Sequence, residues 1–158
     1  MKNLLIKIGI KSRKASSYQI DEKKKNKVLE NYFQMIEKNK LKIIKENQKD
    51  LIIAKKKGIK NNIAQRLLLN DKKISEIINS IKEIIKLKDP TNIILEKWKR
   101  PNGLSISKVS IPIGVIGVIY ESRPNVTSDV ASLCFKSGNP VILKGGKEAY
   151  HSNLILSK

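Results

Sequence analysis

Two short polar clusters hold most of the chemistry this chain can offer. Glu121-Ser122-Arg123-Pro124-Asn125 follows the apolar run Ile113–Tyr120, and Lys144-Gly145-Gly146-Lys147-Glu148 follows Val141–Leu143. A polar turn between a strand and the next helix is where open α/β sheets bind ligands. Asn125 at such a turn either presents its amide to a ligand or caps the helix that follows. Arg123 brings a planar fork suited to a phosphate or carboxylate, or it pairs with Glu121. Lys144 puts a charge at the end of a buried strand, facing the same edge, although a strand-end lysine also snorkels simply to reach water. Gly145 and Gly146 either admit a ligand close to the backbone or make a tight turn.

The other reactive residue types are few. Cys134 lies between Leu133 and Phe135 on the apolar side of its helix, with nothing nearby to lower its pKa, so a core position is expected. His151, the sole histidine, has no triad partner and no second metal ligand, and is expected on a helix surface. The chain contains no G-x-x-x-x-G-K-[ST] loop, no H-E-x-x-H and no C-x-x-C. Gly114 and Gly117 precede most of their strand and do not form G-x-G-x-x-G. No metal site is expected.

The elements that must position the two turns can be read from periodicity. The first ninety residues predict helices. One covers 3–17 with Leu4, Leu5 and Ile8 on a common face. A second, capped by Asp21, carries Val28, Leu29, Tyr32, Phe33 and Ile36 at helical spacing. A third runs from about 41 to 57 with Ile43, Ile44, Leu51 and Ile52 inward and Gly58 as its C-cap glycine. A short helix over 61–69 precedes one capped by Asn70 or Asp71, whose Ile74, Ile77, Ile78, Ile81, Ile84 and Ile85 make a narrow stripe. Asp89-Pro90 ends it.

Ile93–Trp98 and Leu104–Ile111 then predict a hairpin around Arg100-Pro101-Asn102-Gly103, with a bulge or the end of pairing at Lys108, where the alternation changes phase. The run 113–120 reads as a strand covered on both faces. A helix from Asn125 to Gly138 and the strand 141–144 complete a βαβ unit. The expected class is α/β: a helical segment 1–90, a hairpin 91–111, and the start of a dinucleotide-binding βαβ domain 112–158. Two parallel strands with open edges do not stand alone, so further polypeptide is expected to complete the sheet. The exposed hairpin edge is expected to meet another subunit.

Composition narrows the function classes. At 40% apolar residues the chain can build a core, and its single cysteine excludes an internal disulfide. No apolar stretch approaches the roughly 20 residues of a membrane span. Charges interrupt the first apolar run, which argues against a secretory signal; the reading is soluble and cytoplasmic. The net charge of +19 raises nucleic-acid binding. Yet 29 of the 33 basic residues are lysine, and arginine is the commoner base- and phosphate-reading side chain. Lys, Ile and Asn share A- and T-rich codons, and the excess lies along the helical half, +16 over residues 1–100 against +3 after them. A nucleic-acid role is therefore disfavoured.

YESRPNVTSDVASLC (120–134) and SGNPVILKGGKEA (137–149), with DLIIAKKKG (50–58) and QRLLL (65–69) upstream, resemble the gamma-glutamyl phosphate reductases of the aldehyde dehydrogenase superfamily. The resemblance implies an aldehyde dehydrogenase-like, Rossmann-like fold, here incomplete and amino-terminal. It implies an NADPH-dependent oxidoreductase that converts L-glutamyl 5-phosphate to L-glutamate 5-semialdehyde and phosphate in proline biosynthesis, through a thioester on a cysteine. It makes Asn125 the amide donor to the developing oxyanion. It gives Lys144 the adenosine ribose or its 2′-phosphate, with Gly145 and Gly146 allowing close approach. Lys147 becomes a further 2′-phosphate candidate, and Glu148 either bonds the ribose or caps the next helix. Arg123 is the candidate for a substrate anion. The family's nucleophilic cysteine lies downstream of these motifs, so residues 1–158 alone are expected to be inactive. The resemblance also implies a homo-oligomer at full length and a glutamate 5-kinase partner that supplies the unstable acyl phosphate. The alternative is a catalytically inactive basic module from a decayed reductase gene, binding nucleic acid or a protein.

Overall fold

The computed structural model describes residues 2–158. Five helices come first: α1 (Lys2–Ser16), α2 (Glu22–Lys38), α3 (Lys40–Lys56), α4 (Asn61–Leu67) and α5 (Asp71–Lys86). An antiparallel hairpin follows, β1 (Ile94–Lys99) and β2 (Ser105–Val109). The chain then builds β3 (Ile116–Tyr120), α6 (Asn125–Lys136), β4 (Val141–Gly145), a 3-10 turn (Lys147–Ala149) and α7 (Tyr150–Leu156). The mixed class expected from the pattern is found, with each pair of strands forming its own two-stranded sheet.

α5 is the hub of the core. Asn70 caps it, its side chain accepting from the Lys73 amide at 2.9 Å, and Asp71 is the first helical residue. Ile74, Ile77, Ile78, Ile81 and Ile84 are all buried against Leu29 and Ile36 of α2, Ile43 of α3 and Leu156 of α7. Each such side chain contributes roughly 1.5–3 kcal/mol by leaving water. Asp21 caps α2 through the Lys24 amide at 2.8 Å. Gly58 ends the α3 region at φ +64°, a conformation that L side chains rarely adopt.

Several expectations are corrected. Leu4 and Leu5 are exposed, so the apolar face predicted for α1 is not covered. Ile52 is 56% exposed, because the inward face of α3 is formed by Ile43, Asn47, Asp50 and Ala54. α4 stops at Leu67 because buried Asn47 captures the backbone there. Its Nδ2 donates to the Leu67 carbonyl and its Oδ1 accepts from the Leu69 amide, both at 2.8 Å. The irregularity expected near Lys108 is found there, the extra residue lying on β1 between Ile94 and Glu96, opposite Val109 and Lys108.

The run 113–120 is not one strand covered on both faces. Only 116–120 pairs, and Gly114, at φ +116°, donates its amide to Asn139 Oδ1 at 2.9 Å. Ile119 is 76% exposed. Strand side chains alternate, and only one face of this sheet is covered by helices of the described residues. β3 and β4 run parallel in the register Ile116↔Val141 through Tyr120↔Gly145. Among the described residues no helix is long and apolar enough to cross a membrane, and no group of side chains has the makings of a metal site.

Candidate functional site

Parallel pairing sends both strands out at one carboxyl edge. The turn after β3 carries 121–125 and the turn after β4 carries 146–148, so the two predicted clusters meet there. They do not share a face. Lys144 pairs in register with Ile119 and lies with it on the bare side of the sheet. Tyr120, one residue on, reaches the helical side and shares a 2.6 Å hydrogen bond with Thr127 Oγ1 of α6. Thr127 in turn donates to Asn153 Oδ1 of α7 at 3.1 Å.

A carboxylate ties the two turns together. Glu148 Oε1 accepts from the Ser122 amide and from Ser122 Oγ, the latter at 3.1 Å. Ser122 has φ +51°, a left-handed conformation costing about 1–3 kcal/mol in a residue other than glycine. The Glu148 bonds hold the chain in that shape, and three residues later Asn125 is delivered to the first turn of α6. Glu148 is therefore not a cap of the helix after it. Neither the 3-10 turn nor α7 has a cap side chain from its own N-cap residue. Asp50 of α3 does that work from a distance, accepting from the His151 amide (3.1 Å), the Ser152 amide (2.8 Å) and Ser152 Oγ (2.6 Å).

Asn125 does not cap α6 either; Pro124 holds the N-cap position. The Asn125 amide donates one hydrogen to Asp129 Oδ2, one turn along the helix, at 3.0 Å. An amide nitrogen carries two hydrogens, so the second is free for another acceptor. Arg123 is exposed, and the pairing with Glu121 weighed from sequence does not form among the described residues. Lys147 is also exposed.

The two glycines have an internal reason to be glycine. A Cβ on Gly145 would lie 2.1 Å from Asn153 Nδ2, and one on Gly146 would lie 2.1 Å from Glu148 Oε1. Neither has a positive φ.

Cys134 lies in the core, as its sequence neighbours predict. Cys134 is buried, and burial pushes its thiol pKa up, away from thiolate. His151 is half-buried rather than a free surface residue, its Nδ1 3.7 Å from Glu46 Oε2. The Lys49 hydrogen bond is the largest of the influences that hold the Glu46 carboxyl below its usual range.

Beside Asn125 a cavity of about 330 Å³ opens between α4, α5 and the start of α6. Arg66, Lys73, Glu76, Arg123 and Asp129 line it with Asn125. Sequence reading missed Asp129, though four residues after Asn125 is the same helix face. It also missed Arg66, the one charge in an otherwise uncharged α4. A larger cavity, about 420 Å³, lies at the amino ends of β3 and β4 beside Tyr18, Pro112, Phe135 and Pro140. Its Lys25 is committed to Asp89 at 2.7 Å, so it offers no free reactive group.

No family model matches the chain. A protein named gamma-glutamyl phosphate reductase from Carboxydothermus hydrogenoformans is 47% identical over 96% of this chain and 37% of its own length. The crystal structure of gamma-glutamyl phosphate reductase from Thermotoga maritima superposes with a TM-score of 0.93 at 38% identity, over 96% of this chain and 37% of that one. The corresponding Saccharomyces cerevisiae structure gives 0.91 at 31% identity, over 95% of this chain and 39% of that one. This chain thus spans a little over a third of the length of the relatives it matches.

Proposed function

We propose that this chain, which is similar in sequence and fold to gamma-glutamyl phosphate reductases, contributes the oxyanion donor and one cofactor contact of an NADPH-dependent acyl-phosphate reductase. The substrate is L-glutamyl 5-phosphate, and the products are L-glutamate 5-semialdehyde and phosphate. The observation that carries the reading is the shared carboxyl edge of β3 and β4, with Asn125 on the helical side and Lys144 on the bare side.

The residues present fit a dinucleotide. Exposed Ile119 beside Lys144 gives an apolar shelf with a cation at its end, which suits an adenine and its ribose or 2′-phosphate. NADPH, were it held there, would supply the hydride. The chain's own residues do the rest. Asn125, fixed by Asp129, directs its second N–H at the substrate carbonyl oxygen as charge develops, a contact whose loss typically costs about 10²–10³ in turnover. Arg123 holds a substrate anion. Cys134 takes no part. The hairpin, exposed on both faces, is the surface that meets another subunit. A kinase partner supplies the acyl phosphate.

Titration of NADPH into the chain, followed by nucleotide fluorescence, tests this. Saturable binding is expected, and Lys144→Ala should weaken it about tenfold or more, the factor of a lost charged hydrogen bond. An absence of saturable binding, or an unchanged affinity in the variant, overturns the cofactor assignment.

A further inference from the structure

We infer that the cavity between α4, α5 and α6 receives the α-ammonium and α-carboxylate of an amino-acid substrate. Asp129 takes the ammonium and Arg66 the carboxylate. The inference rests on the reading above only in placing the reacting carbonyl at Asn125.

Asp129 supplies the first argument. Its Oδ2 accepts from the Asn125 amide, but its Oδ1 is buried with no hydrogen-bond partner among the described residues. A buried, unpaired carboxylate oxygen is costly, and native structures rarely leave one without a reason. An i,i+4 contact with Asn125 explains one oxygen and not the other. A ligand ammonium beside Asn125 satisfies the second.

The wall composition points the same way. A lone phosphate would suit cations only, and an apolar tail would suit neither sign. This cleft holds Arg66, Lys73 and Arg123 together with Glu76 and Asp129, so it matches a ligand bearing both charges. Lys73 Nζ is already committed to the Gln65 carbonyl at 2.7 Å. Arg66 and Arg123 are exposed and carry no ion pair among the described residues. Arg123 sits on the turn that leads into Asn125; Arg66, on α4, lines the cleft from another element.

The spacing agrees. Asn125 and Asp129 lie on one helix face with their side chains joined at 3.0 Å, so a single small ligand can lie across both. In a γ-acyl glutamate the α-nitrogen lies four single bonds of about 1.5 Å from the acyl carbon, roughly 5 Å when extended. A carbonyl oxygen at the Asn125 amide therefore brings the ammonium to Asp129. The cavity volume is of the size that encloses small ligands.

The test uses nitrogen-15-labelled chain, following the Asn125 side-chain amide resonances during titration with L-glutamate and with glutarate, which lacks the ammonium. L-glutamate should shift them saturably, and glutarate should bind about tenfold or more weakly. Asp129→Asn keeps the shape and an acceptor for Asn125, and should abolish the preference for glutamate over glutarate. Arg66→Gln should weaken both ligands while keeping that preference. Equal binding of the two ligands to the native chain, a preference that survives in Asp129→Asn, or no saturable response to L-glutamate overturns the inference. NADPH binding on the same samples separates the two readings. If nucleotide binds and glutamate is not discriminated, only the amino-acid pocket falls; if glutamate is discriminated and nucleotide does not bind, only the cofactor assignment falls.

Discussion

Replacing Asp50 by alanine should unlatch α7 and loosen the turn that delivers Asn125. Asp50 is 1% exposed and accepts three hydrogen bonds, from the His151 amide, the Ser152 amide and Ser152 Oγ. Ser152 is fully buried, so its amide finds no water when the carboxylate is gone, a loss of about 1–3 kcal/mol. Its hydroxyl keeps a contact with Asn47 Nδ2 at 3.0 Å, and the His151 amide bond is only part-buried, so these two bonds add about 1 kcal/mol each at most. The expected total is roughly 3 kcal/mol, against a whole-domain stability of about 5–15 kcal/mol. Asp50→Asn retains one acceptor oxygen and should lose about half as much. Urea unfolding gives the free energies, and amide exchange at His151 and Ser152 reports the local opening. A loss below about 1 kcal/mol for Asp50→Ala, or unchanged exchange at Ser152, would refute the reasoning. The consequence reaches the site because Asn153, the next residue of α7, packs on Gly145 and holds Thr127 beside Asn125.

Two further outcomes follow from groups with shifted pKa values. Burial alone would raise the Asp89 carboxyl, but hydrogen bonds from Lys25 at 2.7 Å and from the Thr91 amide and hydroxyl outweigh it and hold it below the usual 3.8. Its stabilisation is therefore complete above the unfolded value and is lost as pH falls through the lower folded value. Urea midpoints should drop in that acid window, and Asp89→Asn should be less stable at neutral pH with a shallower acid loss; an identical acid profile in the variant counts against the pairing. Cys134 has its thiol pKa raised by burial, so iodoacetamide at neutral pH should label it only after denaturation. Prompt labelling of the folded chain would contradict the packing described.

What the sequence made legible depended on whether the cause was local. The stripe on α5, the caps at Asp21 and Asn70 and the hairpin turn at Arg100–Gly103 follow from spacing and backbone chemistry within a few residues. The carboxyl-edge meeting of Asn125 and Lys144 was legible because a βαβ unit has few geometries. The misreadings share a different cause. Ile52 looks like a core residue until Asn47 and Asp50 prove to occupy the inward face of α3, and their partners lie 20 and about 100 residues away. Gly145 and Gly146 read locally as a turn or a cofactor contact, and their packing beside Asn153 and Glu148 is visible only in the fold. Nothing local announces either.

The same long-range polar contacts explain how a thin sheet holds a precise edge. Two parallel strands supply few bonds, and among the described residues helices cover only one of their faces. Three buried or half-buried links replace what the sheet lacks. Asp50 fixes the start of α7, and Glu148 fixes Ser122. Tyr32 joins the remaining elements, its hydroxyl 2.9 Å from Ser128 Oγ of α6 and 2.8 Å from the Leu156 carbonyl of α7. Burial, with the Ser128 bond opposing, raises the Tyr32 pKa, so this link stays neutral and intact across ordinary pH. Each link runs between helices or turns rather than strands, so the position of Asn125 is set by the helical layer. The first ninety residues are therefore part of the site even where none of their side chains reaches a ligand.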